Sequence, residues 1–322
     1  MMLRAYDYAE KRMDDRIRDA HVLNGEKEIA LKYVLEHPIQ KNCQPCPICG
    51  SHHTGYVFDI WNVDYLRCVD CGSIYVPVDD DTMQEYKNLE EIKEFRRDKN
   101  YQNLISEIRD SAYEENIRWL QYRAYRYLGR NKDLKIIDYG NKYQGFIDKI
   151  KTSGMASEYE LRESPLLEEI ETARIDHADI VISMNQLQHE ANPLDLLCNL
   201  RESLDDNGIL ILNTRLGSGF DVLTLKGSND DIYPYEHIML PSKRGVEIAL
   251  ESAGYELLEI TTPGTRDINV VKSNVRRLGD ENLFVRYLMD TADEKMLMDF
   301  QQFLQKSCLS SFVRLVARKK AA

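Results

Sequence analysis

The chain has 322 residues, with 42 basic and 54 acidic side chains, a formal net charge of −12 and 43% hydrophobic residues. That length allows one sizeable core plus a smaller module. The acidic balance argues against nucleic acid or anionic lipid as a partner, because both carry phosphate. No run of about 18 apolar residues reads as a membrane span. The opening MMLRAYDYAEKRMDDR lacks the apolar stretch of a signal peptide, so the expected location is the cytoplasm. In a reducing compartment, closely spaced thiols among the seven cysteines are expected to hold metal rather than pair.

Residues 1–40 are charged and broadly helical, with Tyr6, Ala9, Met13 and Ile17 near helical spacing. His37-Pro38 predicts a boundary, because the residue before proline is pushed out of the helical region. Over 41–80 the composition turns to Cys, Gly, Pro, aromatics and short β-prone runs (YVFDIW, IYVPV), a loop-rich module. Helical pattern returns over 81–130, including Trp119, Tyr122 and Tyr125 at i, i+3 spacing, which reads as a core stripe. Over 131–322 strand and helix alternate. LKIIDYG, DIVISMN and GILILNTR are near-continuously apolar strands. NKYQGFIDKIKTSG, LDLLCNLRESLDDNG with a stop at Gly208, and RGVEIALESAG are helices, and FVRLVAR is a last strand. This alternation predicts an α/β fold with a mostly parallel sheet covered on both faces.

CPICG and CVDCG form two CxxCG knuckles, which makes Cys46, Cys49, Cys68 and Cys71 candidate ligands of one structural ion. Each knuckle sets two thiolates on one side of a tight turn, and the following glycine permits the close backbone approach. Two knuckles complete a tetrahedron suited to Zn²⁺, with iron as the alternative, and a closed shell leaves no site for water. Cys43 is read as a spectator, and His52 and His53 as solvated.

At LKIIDYG followed by NKYQGF the chain resembles the zinc-ribbon-bearing bacterial class I methyltransferases. These include the sugar C-methyltransferases found with surface-glycan pathways. The knuckles, QLQHEANP, LDDNGILILNTRLGSGFD, YPYEHIML, ESAGYELLEITTPG and LSSFVRLVARK carry the resemblance. It implies a Rossmann-like sheet beside a small N-terminal zinc ribbon with helical flanks. It further implies S-adenosylmethionine as methyl donor, bound at Asp138, Gly140 and Gly145, with Glu160 (or Glu163) taking the ribose. His189 and His237 become the candidate bases or acceptor-facing residues, and a sugar-like small molecule the acceptor. The family's glycine loop is altered, since Lys142 and Gln144 stand where glycines are expected. A side chain there restricts close backbone approach. An inward Lys142 would repel the sulfonium by roughly 3 kcal/mol at about 5 Å and an effective dielectric near 20, unless it reached the donor's carboxylate instead. Gln188 replaces the acid of the family's Glu-His pair, and the short interval between Glu160 and Asp179 leaves little room for the usual third strand. Arg215 reads as a phosphate holder or a surface ion pair.

The sequence thus carries three functional readings. One is a methyltransferase of a sugar, nucleotide-sugar or similar metabolite. The second is a degenerate methyltransferase fold serving as a partner or regulatory subunit, with residues 1–40 available to a protein partner. The third, a ribbon-type nucleic-acid binder, is disfavoured by the charge.

Overall fold

The computed structural model describes residues 25–39, 44–167, 170 and 172–321. The helical spacing read at Tyr6 to Ile17, and Cys43, lie outside them. Helix α1 (Gly25–Glu36) ends before His37-Pro38, as the proline predicts. Strands β1 (Thr54–Ile60), β2 (Val63–Cys68) and β3 (Ile74–Tyr75) make an antiparallel meander around the cysteines. Helices α2 (Asp80–Lys87), α3 (Glu90–Arg97) and α4 (Lys99–Leu128) follow. Asp79 caps α2 by accepting from Thr82 N at 2.7 Å, and Asp98 caps α4 by accepting from Tyr101 N at 2.8 Å. Gly129 ends α4 at φ 73°, a left-handed conformation that glycine adopts without steric cost.

The second half runs β4 (Leu134–Tyr139), α5 (Gln144–Thr152), β5 (Ala156–Arg162), β6 (Ala178–Met184), α6 (Pro193–Glu202) and β7 (Leu204–Arg215). It continues with α7 (Phe220–Leu225), β8 (Met239–Leu240), α8 (Lys243–Ser252), β9 (Tyr255–Thr261) and α9 (Asp267–Ser273). Helices α10 (Leu283–Thr291) and α11 (Glu294–Lys306) precede β10 (Phe312–Lys319). The main sheet has the order β5-β4-β6-β7-β10-β9. Strands β5, β4, β6 and β7 are parallel, and β10 is antiparallel to both β7 and β9. This is the Rossmann-like sheet that the resemblance implies, and among the described residues no strand lies beyond β5. No described helix is long and apolar enough to cross a membrane.

Alternation along each strand feeds two cores. Ile136, Ile180, Ile182, Ile209 and Ile211 pack toward α4 and α5, whereas Ile137, Val181, Leu210 and Leu212 pack toward α6 and α8. Both faces are therefore apolar, which is why the strands read as unbroken hydrophobic runs. Two expectations are corrected. Gly208 does not stop α6, which ends at Glu202. It lies inside β7, where a Cβ would come within 2.8 Å of Ala178 O, so the close approach of β6 requires glycine. The aromatic stripe of α4 is only partly core. Trp119 is buried, but Tyr122 and Tyr125 are 53% and 64% exposed. Leu120, Arg123 and Ala124 take the inner face, because Glu259 on β9 neutralises the buried Arg123 guanidinium through bonds at 3.0 and 2.5 Å.

The cysteine module does not stand alone. Its β3 pairs with β8, which is contributed from far downstream (Ile74 with Leu240, Tyr75 with Met239). Ser242 caps α8 by accepting from Gly245 N at 2.8 Å and donates its hydroxyl to Cys71 O, while its own N–H donates to Ser73 Oγ at 3.1 Å. Gly217 backs this seam, where a Cβ would press on Leu240 O and Ile74. Gly217→Ala should push β8 from β3 and lower the urea midpoint, by an amount typical of overpacking, about 1–3 kcal/mol. An unchanged midpoint would show that the seam tolerates a methyl.

Candidate functional site

Two constellations emerge. The first is the cysteine cluster. The two knuckles share a six-residue geometry, CPICGS and CVDCGS. Gly50 N donates to Cys46 O at 2.8 Å and Gly72 N to Cys68 O at 2.9 Å, with both glycines left-handed at φ 70° and 78°. Cys46 N donates to Ser51 O and Cys68 N to Ser73 O, at 2.8 and 2.9 Å. A side chain at either glycine would strain the turn that aims the thiols. The four Sγ atoms lie within 4.8 Å of one another, with Cys46 to Cys71 at 3.6 Å and Cys49 to Cys68 at 3.5 Å. Thiolates about 2.3 Å from a tetrahedral Zn²⁺ stand about 3.8 Å apart, so this donor set fits such an ion. His53 is exposed and pairs with Asp70, which leaves it outside the cluster, as expected.

The second constellation lies at the carboxyl ends of β4 and β6. The chain order reverses there between neighbouring strands, and open α/β sheets take their ligands at such a switch point. The turn after β4 carries Gly140 at φ 70°. Asp138, wholly buried, accepts from Asn141 Nδ2 and Tyr159 OH at 2.8 Å each, and its Oδ1 has no partner. Burial raises its carboxyl to about 7 against the lowering effect of those two bonds. Gly145 sits in the first turn of α5 against Ser106 and Tyr113 of α4, too close for any side chain. Glu160 has another occupation. It is paired with Arg162 at 2.8 and 3.0 Å and accepts from Ile175 N at 2.6 Å, so its carboxylate is engaged away from the turn. Glu163, left-handed at φ 51°, stands just past the end of β5.

His189, in a single 3-10 turn (Leu187–His189) after β6, and His237, just before β8, come together with ring centroids 6.3 Å apart. Glu236 lies 3.6 Å from His189 Nδ1. Gln188 stands where the resemblance implies an acid, and Glu236, from a loop some fifty residues downstream, brings a carboxylate beside His189. Burial pushes both imidazoles down to about 3, so both are neutral at physiological pH. His237 Nδ1 faces Tyr233 N at 3.4 Å, and Ile238 N donates to Gln188 O at 3.0 Å, tying the two loops together.

Lys142 does not block the turn from inside. It reaches Glu26 of α1 at 2.9 and 3.2 Å and Glu236 at 3.4 Å. Arg96 of α3 bridges the same two acids at 2.6 Å each, and Tyr86 OH donates to Glu236 at 3.1 Å. Burial alone would raise both carboxyls, but Lys142 and Arg96 hold them low. This buried quartet escaped the sequence reading, because its members lie on four separate elements and no spacing connects them. Arg215 forms a buried ion pair with Asp221, rather than a surface one.

In this arrangement the chain's own side chains cover the crevice. A Cβ on Gly140 would overlap the Gln186 carboxamide, which occupies the side that a ligand would approach and donates to Gly140 O at 2.7 Å. Gln102 Oε1 accepts from Gln144 N at 2.9 Å, consuming a donor at the start of α5. Gln186 and Gln102 are side chains that can rotate; the backbone cradle beneath them is intact.

No family model matches the chain. Over 108 residues it is 28% identical to a tRNA U34 carboxymethyltransferase of Vibrio vulnificus, covering 34% of this chain and 30% of that protein. It is 26% identical to one of Vibrio campbellii with the same coverage. The match therefore spans under a third of the length of these curated relatives. Among solved structures, Haemonchus contortus phosphoethanolamine N-methyltransferase 2 in complex with S-adenosyl-L-methionine aligns with a TM-score of 0.42. Its identity is 13%, over 64% of this chain and 53% of that one. A cyclopropane synthase of Mycobacterium tuberculosis aligns at 0.37 and 14%, over 62% and 83%. Similarity this distant says nothing of substrate. The strand order, with β10 reversed between β7 and β9, makes a Rossmann-like sheet with an antiparallel edge.

The buried groups set a pH signature. Asp138 binds its proton more tightly folded than unfolded, so its contribution makes the fold lose stability as pH rises from about 4 to about 7. Asp138→Asn should abolish that slope and raise the melting temperature at pH 7; an unaltered slope would assign it elsewhere. The cysteine cluster is tested by elemental analysis. One equivalent of zinc is expected in the purified protein, with its loss and a lowered melting temperature in Cys71→Ser. Metal-free but equally stable protein would rule out a structural ion.

Proposed function

We propose that the chain is an S-adenosylmethionine-dependent methyltransferase acting on a small hydroxyl-bearing metabolite, a sugar or nucleotide-sugar. The observation that supports this most is the convergence of His189, Glu236 and His237 on the switch-point crevice beside the glycine turn. Methyl transfer is an in-line displacement, for which a protein must align the acceptor and remove its proton. His189 and His237 are held neutral and so have an open lone pair, and the Glu236 carboxylate would steady an imidazolium formed at His189. Asp138, Gly140 and Gly145 would form the donor side, with Glu163 better placed than Glu160 for a ribose. The donor supplies an activated methyl group when bound. The cysteine module, holding Zn²⁺, would have a structural role.

A second reading, a methyltransferase fold without donor binding that serves as a partner subunit, is favoured by one specific observation. Gln186, Gln102 and Glu26 occupy the crevice with the chain's own side chains. The tRNA named for the curated relatives is opposed here by the net charge of −12. Calorimetric titration with S-adenosylmethionine decides between the two. Micromolar binding is expected, and silence at millimolar donor with folded protein would favour the partner subunit.

A further inference from the structure

Glu26 stands in the first turn of α1, yet its carboxylate reaches the crevice at the ends of β4 and β6. Two cations meet there, Arg96 from α3 and Lys142 from the glycine turn, each bonded to Glu26 on one side and Glu236 on the other. The quartet is neutral and buried. Glu236 is fixed by Tyr86 and by its place between the two histidine loops. Glu26 is held differently. The rest of α1 is anchored by Ile29, Ala30, Tyr33 and Val34 in the same core as Ile92, Tyr86 and Tyr235. That anchorage begins one turn beyond Glu26, so the first turn can unwind while the helix stays docked.

We propose that Glu26 is an internal stand-in for the carboxylate of an amino-acid-bearing ligand, and that the first turn of α1 is a strap the ligand displaces. This rests on the reading that the crevice takes S-adenosylmethionine, whose methionine end carries such a group. The electrostatics require a second anion beside Glu236. Arg96 and Lys142 buried with Glu236 alone would leave an uncompensated positive charge, which is strongly destabilising. The chain supplies its own anion until a ligand brings one, and exchanging carboxylate for carboxylate keeps the quartet neutral. Gln186 and Gln102 close the same crevice with rotatable side chains, so their movement accompanies the exchange. Gly25 belongs to the strap as well. A Cβ there would come within 2.2 Å of the Phe95 ring, so a bulky side chain at this position sets the first turn against α3.

The test is calorimetric titration of the full chain, its Glu26→Gln variant and its Gly25→Val variant with S-adenosylmethionine and with S-adenosylhomocysteine. Both variants should bind at least ten-fold more tightly than the parent. In the parent, S-adenosylhomocysteine should accelerate amide exchange at residues 29–32, whose helical acceptors are the carbonyls of the first turn. Equal affinity in all three proteins, without faster exchange, overturns the strap and leaves the methyltransferase reading standing. Absence of binding in all three folded proteins overturns both. If Glu26→Gln fails to fold, Gly25→Val and the exchange of the parent protein decide the matter.

Discussion

The short pairing of β3 with β8 is the joint on which the arrangement depends. Two residues from each strand connect the four-cysteine module to the chain after β7, and the Ser242 cap closes the joint against Cys71. Glu236 and His237 lie immediately before β8, so the same joint sets where they stand. A metal held by the knuckles would therefore do more than fold a small lobe. It would stiffen the platform that carries one wall of the crevice. This gives a physical reason for a structural module to sit beside a Rossmann-like sheet: its strands extend the scaffold to residues that the sheet alone does not fix.

The crevice that results is lined by buried groups, four of them paired in charge. Burial keeps His189 and His237 neutral and Asp138 near the middle of its titration at neutral pH. Glu26, Arg96, Lys142 and Glu236 neutralise one another. Lone charges at these depths would cost several kcal/mol each, so the four side chains stand or fall as a group. A crevice closed by paired charges and rotatable amides differs from one filled by aliphatic packing, because an incoming ligand can replace its polar contacts in kind.

Much of the architecture was legible because it follows from short-range pattern. The apolar runs of β4, β6 and β7 announced a sheet buried on both faces, and the duplicated CxxCG announced four converging thiols. The His37-Pro38 boundary came out as local stereochemistry requires. The misreadings share one cause. Gly208 looked like a helix stop but answers the backbone of β6, and Tyr122 and Tyr125 looked like core until Glu259 drew Arg123 inward. In each case a partner distant in sequence overrode the local signal.

The sequence by itself determined the alternation of strands and helices, the thiol tetrad and the altered glycine loop, since all are properties of neighbouring residues. Only the tertiary structure decided that Glu236 lies beside His189, that Glu160 is engaged by Arg162, and that Lys142 faces Glu26. It also decided the antiparallel place of β10 and the loan of β8 to the cysteine module. Those outcomes depend on which buried charges and unpaired strand edges find one another across the folded chain, and no local periodicity encodes such a choice.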